Sequence, residues 1–101
     1  MGEYPTEDEL ARITAWPPDD PLGWLAFVKA AWHWWPSEAW GWNEYDEVDH
    51  IDKSVRAFNV STGGWSGNEE IIGSMQENTM LWLLTWHSST RGGHHVFMVR
   101  R

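Results

Sequence analysis

The sequence predicts an α+β domain: two N-terminal helices, then a four-stranded mixed sheet with one crossover helix between the second and third strands. Three observations predict it. Helix-start signatures stand at Thr6–Glu9 and Asp20–Pro21, segments with a period near two occupy the middle of the chain, and another helix start falls between two strand-like stretches. At 101 residues the chain reads as one domain, 1–101, large enough to bury roughly two-thirds of the surface of its unfolded form.

Thr6-Glu7-Asp8-Glu9 is a capping box, in which the Thr6 hydroxyl accepts from the Glu9 amide while the Glu9 carboxylate reaches back to Thr6. Leu10 and Ile13 give this first helix a short apolar face, and WPPDDP ends it, because the residue before a proline is driven out of the helical region. Asp20 then caps a second helix with Pro21 at its first position, predicted over residues 21–34. Trp24, Leu25, Val28, Trp32 and Trp35 share one arc of it, widened by Phe27 and Trp34; Lys29 and His33 lie on the other side, and Pro36 stops the helix.

WGWNEYDEVDHIDKSVRAFNVS reads as a hairpin, with Trp40 and Trp42 on one side of its first strand and Arg56, Phe58 and Val60 on one side of its second. Asp46, Asp49 and Asp52 match no calcium-loop spacing and lack the turn glycine such loops need, so they read as a solvated hairpin tip. STGGWSGNEE, residues 61–70, ends in a second capping box, Ser66 to Glu69, followed by Ile71, Ile72 and Met75 at helical spacing. The apolar run TMLWLLTWH, residues 79–87, reads as a central strand, and HHVFMVRR returns after the turn SSTRGG. Facing His87 with His94 pairs Leu84 with Phe97 and Trp82 with Val99. The expected core is Trp24, Leu25, Val28, Trp32, Phe58, Ile71, Ile72, Met75, Trp82, Leu83 and Phe97.

Composition narrows the chemistry. There is no cysteine, hence no disulfide framework and no thiolate metal site, and a reducing, cytoplasmic setting is the expectation. The formal charge is −8, unevenly placed: residues 1–50 hold eleven carboxylates against Arg12 and Lys29, whereas residues 51–101 hold four against five bases. Such a field repels phosphate backbones and attracts a basic protein surface, so the partner expected is a protein and not nucleic acid. No apolar stretch approaches the ~18 residues of a membrane span, so no membrane partner is expected. Ten tryptophans would bring roughly 2,000 Å² of buriable surface, more than so small a core takes in, so two to four should remain partly exposed.

A strand ending near Ser61, a helix, and a strand starting near Thr79 make a strand-helix-strand unit, whose natural solution is a parallel pair with a right-handed crossover. That geometry brings Trp65, Asn68 and Glu69 to the same sheet edge as Arg91 and His94 of the STRGGHH turn; these five are the candidate binding residues. No catalytic residue, metal ligand or cofactor is assigned. His87, His94 and His95 fit no zinc spacing, and the serines fall where caps and turns use serine anyway, so an enzyme is the less favoured reading.

STGGWSGNEEIIGSMQEN, the WLLTW stretch and RGGHHVF together resemble small uncharacterised proteins of bacteriophages and prophages, over roughly residues 20–99. The resemblance implies a short accessory protein that binds host or phage components, in some cases as an acidic inhibitor, and it carries no catalytic residue onto this chain. A small-ligand binder stacking neutral sugars on exposed indoles is the alternative. Two part-exposed tryptophans coplanar on one face would be its mark.

Overall fold

The computed structural model describes residues 5–32, 42–48, 54–62, 66–91 and 93–100. Two helices, α1 (Glu7–Ala15) and α2 (Pro21–Ala31), precede a hairpin of β1 (Trp42–Val48) and β2 (Ser54–Ser61). Two more, α3 (Ser66–Glu77) and α4 (Thr79–Thr85), lead into β3 (Trp86–Thr90) and β4 (His94–Arg100). The architecture is α+β.

Both N-terminal caps form as their residues dictate. Thr6 N donates to Glu9 Oε1 at 2.8 Å and Glu9 N to Thr6 Oγ1 at 3.1 Å, while Gly23 N donates to Asp20 Oδ1 at 3.1 Å. α2 is shorter than the apolar pattern predicts: it stops at Ala31, and Trp32 is already extended. Trp34, Trp35 and Trp40, the Pro36 stop, His33, and Asp49 and Asp52 of the hairpin tip lie outside the described residues, whereas Asp46, predicted in that tip, falls inside β1 opposite Arg56. Ser66, the predicted cap of α3, is itself the first helical residue.

The sheet corrects the predicted topology. Its order is β1-β2-β4-β3 and every neighbouring pair is antiparallel, so it is not mixed. β2 and β3 do run in the same direction, since each is antiparallel to β4, but β4 lies between them. The cause is the run TMLWLLT, which forms a helix where a central strand is predicted. An apolar run this short carries no period that separates helix from strand. Here Leu and Met, good helix formers, dominate it without a β-branched residue between Thr79 and Thr85. Asn78 caps it, its Oδ1 accepting from Leu81 N at 3.3 Å. Only WHSST is left for a strand, and the register moves accordingly: Thr90, not His87, faces His94, and Trp86, not Leu84, faces Phe97.

The core lies between the helices and one sheet face, joining Trp24, Leu25, Val28, Ile71, Met75 and Leu81 to Trp42, Phe58, Phe97 and Val99. Burying each such side chain contributes about 1.5–3 kcal/mol relative to leaving it in water. Of the predicted core, Leu83 is wrong, being 70% exposed, and Trp82 is only half-buried. Two buried polar side chains are tied across the fold, while the indole Nε1 of buried Trp32 has no partner among the described residues. Trp24 Nε1 donates to the Ile13 carbonyl at 2.9 Å, and Asn78 Nδ2 donates to the carbonyls of Ile13 and Trp16, both at 3.1 Å. Asn78 thus fastens the end of α1 to the α3–α4 junction.

Candidate functional site

The edge at which β2 ends and β4 begins carries part of the predicted cleft. Ser61 faces His94, and Thr62 N donates to the Gly93 carbonyl at 3.0 Å, so the segment leaving β2 does meet the β3–β4 turn. Gly93 is needed there: its φ is +80°, and a Cβ would run into Thr62 Oγ1. A shallow cavity of about 170 Å³ opens at this edge, with Asn59, Ser61, His94 and His95 in its wall. The five candidates separate. His94 lines the cavity; Arg91 and Glu69 are exposed and are not in its described wall; Asn68 is 1% exposed; Trp65 lies outside the described residues. Asn68 is enclosed because it falls on the stripe of Ile71, Ile72 and Met75, the buried side of α3.

Next to this edge Trp86, Ser89 and His95 are linked. Trp86 Nε1 donates to Ser89 Oγ at 2.7 Å, and Ser89 Oγ lies 2.8 Å from His95 Nδ1. Burial, and then the neighbouring His94, hold the His95 imidazole below its ordinary pKa, which favours the neutral ring that can accept from Ser89. Trp82 stacks on Trp86 with centroids 6.4 Å apart and planes at 16°, and meets His95 and Phe97 edge-on. Among the described residues no group of three or more His, Asp or Glu could hold a metal ion, and no helix is long and apolar enough to cross a membrane.

Sequence reasoning missed the surface with the plainest physical meaning. α4 is apolar on both sides: Leu81 and Thr85 are buried, while Met80, Leu83 and Leu84, spaced i, i+3, i+4, are 57%, 70% and 58% exposed. A helix apolar all round is normally enclosed. Leu84 continues into a groove of about 480 Å³ whose other walls include Pro21, His87, Met98 and Arg100. Trp86 and, beside Pro21, Leu22 are also part-exposed. The signal was available in Asn78 as a cap and in the i, i+4 pair Leu81 and Thr85, whose hydroxyl donates to the Leu81 carbonyl at 2.7 Å.

The described carboxylates divide in two. Glu44 lies 3.1 Å from Lys29 Nζ and, like Asp46, 3.1 Å from the Arg56 guanidinium, so these two carboxylates are balanced within the fold. Glu7, Asp8, Glu69, Glu70 and Glu77 are exposed.

No family model matches the chain, and no curated protein or solved structure is significantly similar to it.

Proposed function

We propose that this protein works by binding another protein chain, and that the outer face of α4 is the contact. The observation that carries the reading is the exposure of Met80, Leu83 and Leu84 on a helix whose inner face buries a threonine. Together with Trp86 they leave on the order of 400 Å² of apolar surface in water, the size of the largest patch on a typical monomer, which is often functional. The exposed carboxylates of α1 and α3 supply a separate acidic surface that would steer a basic partner. Action on a host or phage component, as an inhibitor or otherwise, rests on the sequence resemblance and on that acidity.

A photo-cross-linking residue at position 84 tests the contact. Irradiation in lysate and with purified chain should yield a discrete protein adduct, and Leu83→Glu should remove it without changing the melting temperature. No adduct, or one indifferent to Leu83→Glu, would reject the α4 face as a protein contact.

The reading as a binder of neutral sugar-like ligands is favoured by one observation, the near-parallel Trp82 and Trp86 with Trp86 41% exposed. It requires indole fluorescence to respond to such ligands and Trp86→Ala to abolish the response.

A further inference from the structure

We infer that the cavity where β2 ends and β4 begins is a binding site for a neutral, polyhydroxylated molecule of about monosaccharide size. The site is independent of the α4 contact and lies on the opposite face of the sheet.

Strand register places its groups. Trp42, Phe58, Val60 and Phe97 belong to the core, so the residues that alternate with them turn to the other face. There Asn43 stands directly opposite Asn59, Asn59 opposite Val96, and Ser61 opposite His94. All five line the cavity. Two amides, a hydroxyl and an imidazole thus converge over two neighbouring rows of the sheet. Asn59 and Ser61 are half-buried, and none of the four polar side chains has a hydrogen-bond or ion-pair partner among the described residues. Polar groups withdrawn from water are ordinarily paired, so four that meet unpaired leave their hydrogen bonds to whatever fills the cavity. One end of the wall is preformed. Thr62 N donates to the Gly93 carbonyl at 3.0 Å and holds the β2 exit beside His94, which lowers the ordering cost of binding.

The chemistry of the wall selects the ligand. It holds no lysine or arginine, and the chain carries −8, so an anion finds neither a counter-charge nor a favourable field. It holds no carboxylate to pair with a cation. An apolar ligand would cover the amides and leave them without partners. A neutral molecule with several hydroxyls meets every condition, because a hydroxyl both donates and accepts, as do the asparagine amide and the serine. Size sets the limit. A cavity of about 170 Å³ holds what roughly six waters occupy in the liquid and falls below the ~300 Å³ of sites for drug-sized ligands, so it suits a single ring. The site is distinct from a stacking surface on Trp82 and Trp86, since Trp86 is paired with Phe97 on the helix-bearing side.

Nitrogen-15 spectra of the full chain, in which asparagine side-chain amides give their own signals, test this by titration with glucose, galactose, mannose and myo-inositol. Glucuronate serves as the anionic counterpart. At least one of the neutral compounds should shift the Asn43 and Asn59 side-chain signals saturably, with a dissociation constant of about 1–10 mM, as a few hydrogen bonds with little apolar contact provide. Glucuronate should bind at least roughly tenfold more weakly. Asn59→Ala and Ser61→Ala should each weaken binding about threefold to tenfold, while Trp86→Ala and Leu83→Glu leave it unchanged. Thermal melts separate lost binding from lost folding, and Ser61→Ala carries the test should Asn59→Ala fail to fold. No saturable shift with any neutral compound up to about 100 mM overturns the inference, as does equal binding of glucuronate or indifference to both substitutions. Shifts confined to the indole signals of Trp82 and Trp86, and abolished by Trp86→Ala, would put the sugar on the stacking surface and overturn this site, with the α4 contact unaffected.

Discussion

α3 and α4 follow one another in the chain, separated by Asn78 alone, yet they treat water in opposite ways. α3 turns Ile71, Ile72 and Met75 inward and Glu69, Glu70 and Gln76 outward, the ordinary division of a surface helix. α4 encloses Thr85 at 2% exposure and leaves Leu83 and Leu84 outside. Lack of apolar residues does not explain the difference, since α4 has more of them per turn. The contrast teaches that α3 is accounted for by this fold, whereas α4 has a face for which the fold provides no cover among the described residues.

The largest effect expected from this contrast is in single truncations of the two helices. Ile71→Ala should destabilise the protein by about 2–5 kcal/mol, through lost transfer free energy and the cavity left behind. Leu83→Ala should stay within about 0.5 kcal/mol of wild type in dilute monomer, because its side chain already stands in water. Urea unfolding of both at low micromolar concentration decides it. A Leu83→Ala cost comparable to that of Ile71→Ala would show that α4 is covered within the monomer, and the contrast would break.

A smaller but still large effect is expected at the joint. Asn78→Ala removes the α4 cap and the two Nδ2 bonds that hold the carbonyls of Ile13 and Trp16, a loss of about 2–3 kcal/mol. Asn78→Asp keeps the cap acceptor but offers carboxylate oxygens to those two carbonyls. It should therefore recover little of the loss in the same unfolding measurement. Full recovery by aspartate would mean that capping alone is the role of Asn78, and that α1 is not fastened to the α3–α4 joint.

How far the sequence could be read follows the same divide. α1 and α2 announce themselves because caps and apolar spacing agree over about two and a half to three turns, α3 because its apolar spacing holds along its inner face, and the β1–β2 hairpin follows from its alternation. α4 does not, because its seven residues present apolar side chains in every direction and so lack the contrast that defines a period. Reading it as a strand put Leu83 in the core and hid the surface that carries the functional argument. The meeting of the β2 exit with the β3–β4 turn was legible because strand direction survives the insertion of β4 between β2 and β3. Asn68 was misplaced for a plainer reason. The capping-box signature draws attention to its place at the helix start, whereas the spacing to Ile71, Ile72 and Met75 puts it on the inner stripe.

The smallest effect concerns the charges that are balanced internally, and it sharpens the distinction between the two acidic surfaces. Burial pushes the Glu44 carboxyl up, but hydrogen bonds from the Trp42 indole, Arg56 and Lys29 outweigh it, and the group ends below its ordinary value. A carboxyl whose folded pKa is depressed adds stability above its unfolded pKa and loses it as pH falls through the folded value. Glu44→Gln should therefore be less stable than wild type at neutral pH, by about 1 kcal/mol or less given the partial exposure of Lys29 and Arg56. The gap should narrow as pH drops below the ordinary carboxylate range, near 4, and close once Glu44 is protonated. Unfolding curves of wild type and Glu44→Gln from pH 7 to about pH 3 measure it. A constant Glu44→Gln gap across that range would mean that its cost comes from packing against Trp42 and not from charge. Glu44 and Asp46 would then count, with the carboxylates of α1 and α3, toward the field a basic partner meets.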